Sequence, residues 1–498
     1  MDVFQQLAES KLYAGGAIVF LALFVVAVTG LNDPLAHIPG PWYARWTGLV
    51  AALNALRGRK PGYIETLHRK YGPVVRVAPG EVDFSSPEAA QEIHRIKNGF
   101  RKANWYRNLT PMLTNIVNLV DIEAHRRLRR LLSAPLSETG LKSFMSQIDR
   151  KVDMAMSGMA AEARENPNNT VDVYKWFIFM AADVIGELSF GESFRMLEHG
   201  KMNQYVADMQ SVAAAGAVRV TFPTLTRLSM RLPFPLPLFQ KPKQTALAMR
   251  SYATQSLARH RSLAAANADA APPTLLSKLY LAGGADELTP DEVRDNAQAY
   301  IVAGSDTTSN TLTYLVWSIC RDAERGGNIR ERLLASLAHL PPDFGDEDLR
   351  GVAYLEHVVD ETLRLYPAVP APLPRVVPPG GAELAGYLVP EGYVVSAQAR
   401  SLHLNPEAFP EPERFAPERW EHATKAMRDS FMPFGGGSRI CIGLHLARIE
   451  LRLATARFFR AFPNATVSTA SGMSDADMVP EEYFLIVPKG HRCLIKLF

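Results

Sequence analysis

Between Phe434 and Gly443 the chain reads "FGGGSRICIG", a run of three glycines, then an arginine, a cysteine and a fourth glycine inside ten residues. The text that follows, "CIGLHLARIELRLATARFF", has the spacing of a long amphipathic helix. Cys441 therefore stands where a loop enters a helix N-terminus, and there the free N–H groups and the helix dipole favour a negative sulfur. Gly435 to Gly437 carry no side chain and let backbone approach a flat group closely. Arg439, two residues before the cysteine, is placed to meet an anionic substituent of such a group. A phosphate loop is excluded, because neither GxxxxGK[ST] nor GxGxxG occurs. Two readings remain from the residues alone: a catalytic thiol with His445 as its base, which nothing else in the segment supports, and a metal-bound thiolate.

The other cysteines, Cys320 and Cys493, are remote, so three thiols in 498 residues build no disulfide framework and no CxxC zinc site. That usage fits a reducing compartment. A net charge of +3 is too mild to argue for nucleic acid. With 47% hydrophobic residues the chain can bury a large core.

Leu12 to Leu31 ("LYAGGAIVFLALFVVAVTGL") is a run of 20 residues without a charge, the length of a bilayer span. A core helix of this length would show a polar face. A cleaved signal would show a shorter apolar run and a small-residue cleavage site. Lys11 precedes the run, whereas Arg45, Arg57, Arg59 and Lys60 follow it, which orients the remainder to the cytosol. The expectation is an N-terminal membrane anchor over 1–31 with a transmembrane helix at about 12–31 and a proline-rich hinge over 32–45. One large domain then fills 46–498. With that topology the sequons at Asn108, Asn168 and Asn464 stay unused.

Two short β runs, Val74–Val77 and Glu81–Phe84, flank a Pro-Gly turn, and helical periodicity dominates from about Pro87 to Pro367. Irregular, proline-rich text occupies Pro367 to about Pro433. The fold class is mainly α with small β-sheet regions. One helix opens strongly: Thr289 as N-cap, Pro290 in the first turn, Glu292 completing a capping box. In its middle, Gly304 to Asn310 ("GSDTTSN") is a run of weak helix formers, costing roughly 3 to 4 kcal/mol of propensity. The run is either a loop between two helices or a helix locally loosened, with Thr307 bonding the Ala303 carbonyl. The apolar stripe resumes in phase after it, which favours the second. Glu361 and Arg364 share one helix face, and Arg419 downstream can complete a structural charge network.

Taken together these motifs resemble the cytochrome P450 family. Phe434, Gly437, Arg439, Cys441 and Gly443 fit its FxxGxRxCxG haem-binding signature. "AGSDTT" from Ala303 resembles its oxygen-activating segment, and Glu361-x-x-Arg364 and "PERW" at Pro417 follow in family order. The resemblance covers essentially the whole chain, and the hinge, "PGPW" and "HRRLRRLLSAPLS" look like fungal microsomal members. It implies the cytochrome P450 fold and haem b, with Cys441 as the axial iron ligand. It further implies Arg439, Arg129 and Arg375 as propionate partners. His125 stands where the family often has Trp, and is expected to take over a propionate contact. Asp306 and Thr307 become the proton-delivering pair.

The resemblance implies a monooxygenase using O2 and NADPH. No flavin or nicotinamide fingerprint is present, so electrons come from a separate NADPH-cytochrome reductase, with cytochrome b5 as a second donor. A basic surface of Arg126, Arg127, Arg130 and Arg452 is expected to dock it. Pocket candidates are Trp105, Tyr106, Leu109, Met112, Ile116, Ala303, Val369, Ala371, Leu373 and Phe484. Phe222, Phe234, Leu236 and Phe239 are apolar enough to touch a membrane. The expected substrate is a lipophilic fungal secondary metabolite, a terpenoid, polyketide or alkaloid intermediate, oxidised at the endoplasmic reticulum membrane. The rivals are a redox-neutral isomerase or dehydratase of the same fold, and a non-catalytic membrane haem-binding or sensor protein. Retention of Asp306 and Thr307 argues against both.

Overall fold

The computed structural model describes residues 30–111, 113–214, 216–231, 237–266, 273–276 and 288–498, with a few positions between 13 and 28. Most of the Leu12–Leu31 run lies outside these residues, as do Met112, Phe234, Leu236 and the Phe239 side chain. Among the described residues no helix is long and apolar enough to cross a membrane.

The site is framed by helices α1 (Ile122–Ser133), α2 (Met145–Glu165), α3 (Val173–Phe190), α4 (Gln204–Ala214), α5 (Gly216–Thr221), α6 (Pro237–Ala266), α7 (Pro290–Glu324), α8 (Ala353–Leu365) and α9 (Leu444–Ala461). The core centres on α7, which packs along α3 and touches α6, α8 and α9. Helix α3 is buried along nearly its whole length, with Trp176, Phe177, Phe179, Met180, Val184 and Leu188 all in the core. It packs against α7 at Gly304, where a Cβ would stand 2.9 Å from Ile185 Cγ1. That glycine serves helix packing.

Helix α7 runs unbroken for 35 residues and opens on the Thr289–Glu292 capping box. No loop separates its halves. The weak helix formers at its centre turn their side chains back onto the helix: Ser305 donates to Ile301 O, Thr307 to Ala303 O, Thr311 to Thr307 O and Thr313 to Ser309 O, all within 2.6–2.8 Å.

A five-stranded sheet lies beside the helices: β1 (Val74–Ala78), β2 (Glu81–Phe84), β3 (Arg101–Lys102), β4 (Arg375–Val376) and β5 (Val394–Ser396), in the order β1-β2-β5-β4-β3. The β2–β5 pair is parallel and the other pairs antiparallel. In the β3–β4 pair Lys102 stands directly opposite Arg375. The hinge is docked on this sheet: Asp33 pairs with buried Arg76 at 2.8 Å, and Arg76 N–H donates to Pro39 O at 2.7 Å.

The irregular segment after α8 is locked by one buried carboxylate. Glu361 accepts from Arg364 (2.8 and 2.9 Å), Arg419 Nε (3.0 Å), Trp420 Nε1 (3.0 Å) and the Ala416 N–H (2.8 Å). Arg364, fully buried, spends its remaining donors on the carbonyls of His403, Pro412 and Arg414. Both Glu361 oxygens and the Nε, Nη1 and Nη2 groups of Arg364 have partners, which is what makes the buried Glu361–Arg364 pair tolerable there.

Candidate active site

A cavity of about 820 Å³ runs between α7 and the Phe434–Gly443 loop, roofed by α4, α5 and α6. The loop is shaped by short bonds. Cys441 N–H donates to Phe434 O at 2.9 Å, and Gly443 is the N-cap of α9, which begins at Leu444. Cys441 is exposed to the cavity and lines it. Burial raises its pKa, and the Gly443 N–H and the Arg129 charge act in the opposite direction. Phe434, Gly435, Arg439, Cys441 and Gly443 all line the cavity. Gly437 does not: its φ is +59° and a Cβ would fall 1.6 Å from His94 O. Its missing side chain makes room for neighbouring backbone, and this corrects the expectation that all three glycines give clearance to a flat ligand.

At one edge four cations converge. Arg129 on α1 donates to Ile440 O at 2.6 Å, and Arg375 on β4 to the Tyr106 hydroxyl at 3.0 Å. Lys102 on β3 donates to the carbonyls of Ile116 (3.2 Å) and Val117 (2.6 Å). Arg439 keeps a buried guanidinium nitrogen without a partner. All four line the cavity together with His125. The cluster repels itself: Arg439 is lowered to about 10 by burial and then by Arg375 and Arg129. Burial, then Arg375, Arg439 and Arg129, hold Lys102 well below its ordinary value. His125 falls to about 2 through burial and then Arg439, so its imidazole is neutral. Like charges placed directly opposite, as Lys102 and Arg375 are, destabilise a strand pair. Buried charge of one sign is costly unless paired. The site is therefore built for an anionic occupant. Lys102 carries no sequence motif, and it reaches the cluster only through a two-residue strand.

The α7 wall contributes Ala303, Asp306 and Thr307. The Thr307 hydroxyl donates to Ala303 O at 2.6 Å. Asp306 is 8% exposed, and burial raises its pKa to about 6, with the nearby Gln210 side chain acting in the lowering direction. Tyr106, Leu109, Ile116, Val369, Leu373 and Phe484 line the cavity as well. Trp105 and Ala371 do not. Trp105 packs its ring on Tyr106 and Phe484 behind the wall, and Ala371 is buried. Tyr106 belongs as much to the cation cluster as to the apolar lining, with Lys102 Nζ 4.8 Å and Arg375 Cζ 5.6 Å from its ring centre.

The expected basic surface is only partly there. Arg452 is 7% exposed and its charge is consumed inside the fold by Asp346 (2.6 Å) and Glu356 (2.9 Å). Arg126 pairs with Glu123 and Arg127 with Glu292. Helix α9 is buried on both sides of this position, and Glu450 as well as Arg452 lies inside the fold.

The sequence matches the family description "Cytochrome P450" over residues 39–494. It is 45% identical to cytochrome P450 monooxygenase tazI of Aspergillus terreus over 96% of this chain and 97% of that protein. It is 40% identical to cytochrome P450 monooxygenase orf2 of Aspergillus niger, covering 97% of each. The fold is similar to that of retinoic acid bound cyanobacterial CYP120A1, with a TM-score of 0.69 at 22% identity over 86% of this chain and 92% of that one.

Proposed function

Because the chain belongs to the cytochrome P450 family and is a cytochrome P450 monooxygenase, we propose that it oxidises a lipophilic fungal secondary metabolite with O2 and NADPH. Electrons arrive through a separate NADPH-cytochrome reductase, with cytochrome b5 as a second donor. The observation that carries this reading is the cavity itself: a thiol, an acid–hydroxyl pair and four uncompensated cations face one apolar space.

Haem b fits the residues present. Cys441 would ligate its iron, and Lys102, Arg129, Arg375 and Arg439 would receive its two propionates, supplying the counter-charge the cluster lacks. His125, neutral, would offer a hydrogen bond to them. The bound group supplies dioxygen activation, which thiolate electron density favours.

The chain's own residues do the rest. Asp306 holds a proton at its carboxyl below about pH 6 and lines the cavity beside Thr307. To serve a reacting oxygen, the Thr307 hydroxyl exchanges its bond to Ala303 O for one into the cavity. Leu109, Ile116, Val369, Leu373 and Phe484 exclude water and select an apolar substrate.

Residues 1–31 would anchor the protein in the endoplasmic reticulum membrane through the span at about 12–31. The hinge 32–45 would set the position of the cytosolic domain 46–498. Exposed Phe222, Leu225 and Leu228 near the roof, and Leu49 and Leu53 on a helix packed against α5, support contact with that surface. The test is reconstitution with a reductase and extracts of a strain lacking this protein. NADPH-dependent loss of an accumulated apolar metabolite supports the reading. Conversion that needs no NADPH overturns it.

A further inference from the structure

Before α1 the chain follows the cavity as an irregular loop, and Leu113, Asn115, Ile116 and Val117 line the cavity from it. Backbone N–H groups in such a loop need partners, and here the partners divide in two. Inside the loop, Asn115 Oδ1 accepts from the N–H groups of Val117 (3.0 Å) and Asn118 (3.1 Å), and Asn118 Oδ1 accepts from Asn115 N–H (2.9 Å). Those bonds give the loop its shape. The N–H groups of Thr114 and Ile116 reach outside it, and both end on α7. Thr114 donates to Asp295 Oδ2 at 2.9 Å, and Ile116 to Asn296 Oδ1 at 3.0 Å.

We propose that Asn296 is a positioning residue that helps set which substrates fit, because it fixes the loop wall of the cavity from α7 while lying outside the lining itself. This rests on the P450 reading of the cavity above. The Asn296 amide, fully buried, is oriented by its own helix: Nδ2 donates to Glu292 O one turn back at 2.7 Å. That bond leaves Oδ1 against the Ile116 N–H, and a flipped amide would set two donors face to face. Asp295 is held in the same manner, its other oxygen taken by Arg294 at 2.6 and 3.0 Å. From β3, Lys102 holds the carbonyls of Ile116 and Val117. Ile116 is therefore gripped by both of its backbone polar groups, one from α7 and one from the cation edge.

The consequence is a wall of fixed position. An apolar side chain at 296 would leave the buried Ile116 N–H without its acceptor, and the loop would have to move to satisfy it. A small ligand that meets only the Cys441 end of the cavity is blind to that movement. A bulky apolar ligand that packs against Leu113, Ile116 and Val117 is not.

The experiment uses the full-length holoprotein, as wild type and as near-isosteric Asn296→Leu. Amide hydrogen exchange is read across residues 113–118. Binding of imidazole and of clotrimazole, a small and a bulky apolar iron-binding azole, is read from the shift of the haem absorption band. In wild type the Ile116 amide should exchange slowly, with the core of α7 and not with exposed loops. Asn296→Leu should speed that exchange and weaken clotrimazole by about tenfold, the size carried by one hydrogen bond, with imidazole unchanged. Fast Ile116 exchange in wild type overturns the proposal even if the variant does not fold. So does an Asn296→Leu protein that binds clotrimazole as tightly as wild type, or that loses affinity for both azoles equally. If the exchange follows Asn296 while neither azole shifts the wild-type spectrum, the loop contact stands and the P450 reading of the cavity fails instead.

Discussion

Asp306 is raised in the folded protein to about 6, from an ordinary 3.8. The folded state therefore binds more protons than the unfolded one between those values, and stability falls as pH rises through that window. Above it, the carboxylate costs the fold about 3 kcal/mol. Asp306→Asn is expected to raise the unfolding temperature at neutral pH, to leave it unchanged in acid, and to lose coupling. Equal stabilisation at every pH would contradict the burial argument. Thr307→Ala removes the other half of the pair and should cut product per NADPH by about tenfold or more, read as peroxide released per NADPH oxidised. Gly437→Ala makes a different point. Its Cβ has no room at 1.6 Å from His94 O, and the +59° φ opposes any side chain. The substitution should cost about 3 kcal/mol or more, seen as poor recovery of folded protein.

At the level of elements, α7 was legible in outline from its capping box and its apolar stripe. Its continuity through "GSDTTSN" follows from hydroxyls that satisfy carbonyls one turn back, which propensity values do not contain. Glu361 and Arg364 stand out by spacing, yet the value of that pair comes from partners on the irregular segment, Ala416, Arg419 and Trp420. Glu361→Gln leaves the Arg364 and Arg419 charges in the interior and should cost about 3–5 kcal/mol, measurable by denaturant unfolding. A loss below about 1 kcal/mol would mean that the segment is held by other contacts. Lys102 and Gln210 were illegible for physical reasons. One reaches the site through a strand two residues long, and the other through the packing of a roof helix with no motif. Arg452 shows the reverse error, a charge read as surface that packing turned inward.

The whole molecule brings sequence-distant parts to one cavity: β3 and β4 from the sheet, α1 beside it, the cysteine loop before α9, and the wall of α7. Positive charge gathers at the edge formed by Lys102, Arg129, Arg375 and Arg439, where an anionic group would offset it. Deleting residues 1–31 should leave partial vesicle binding, read by flotation, and adding Phe222→Ser, Leu225→Ser and Leu228→Ser should abolish it. Full release by the deletion alone would remove the roof from the membrane face. The central claim is that this cavity holds haem through the Cys441 sulfur. The most direct measurement is the absorption spectrum of the reduced, carbon monoxide-bound protein in wild type and Cys441→Ala. The account predicts a thiolate-type spectrum that the substitution abolishes. An unchanged spectrum in Cys441→Ala would contradict it.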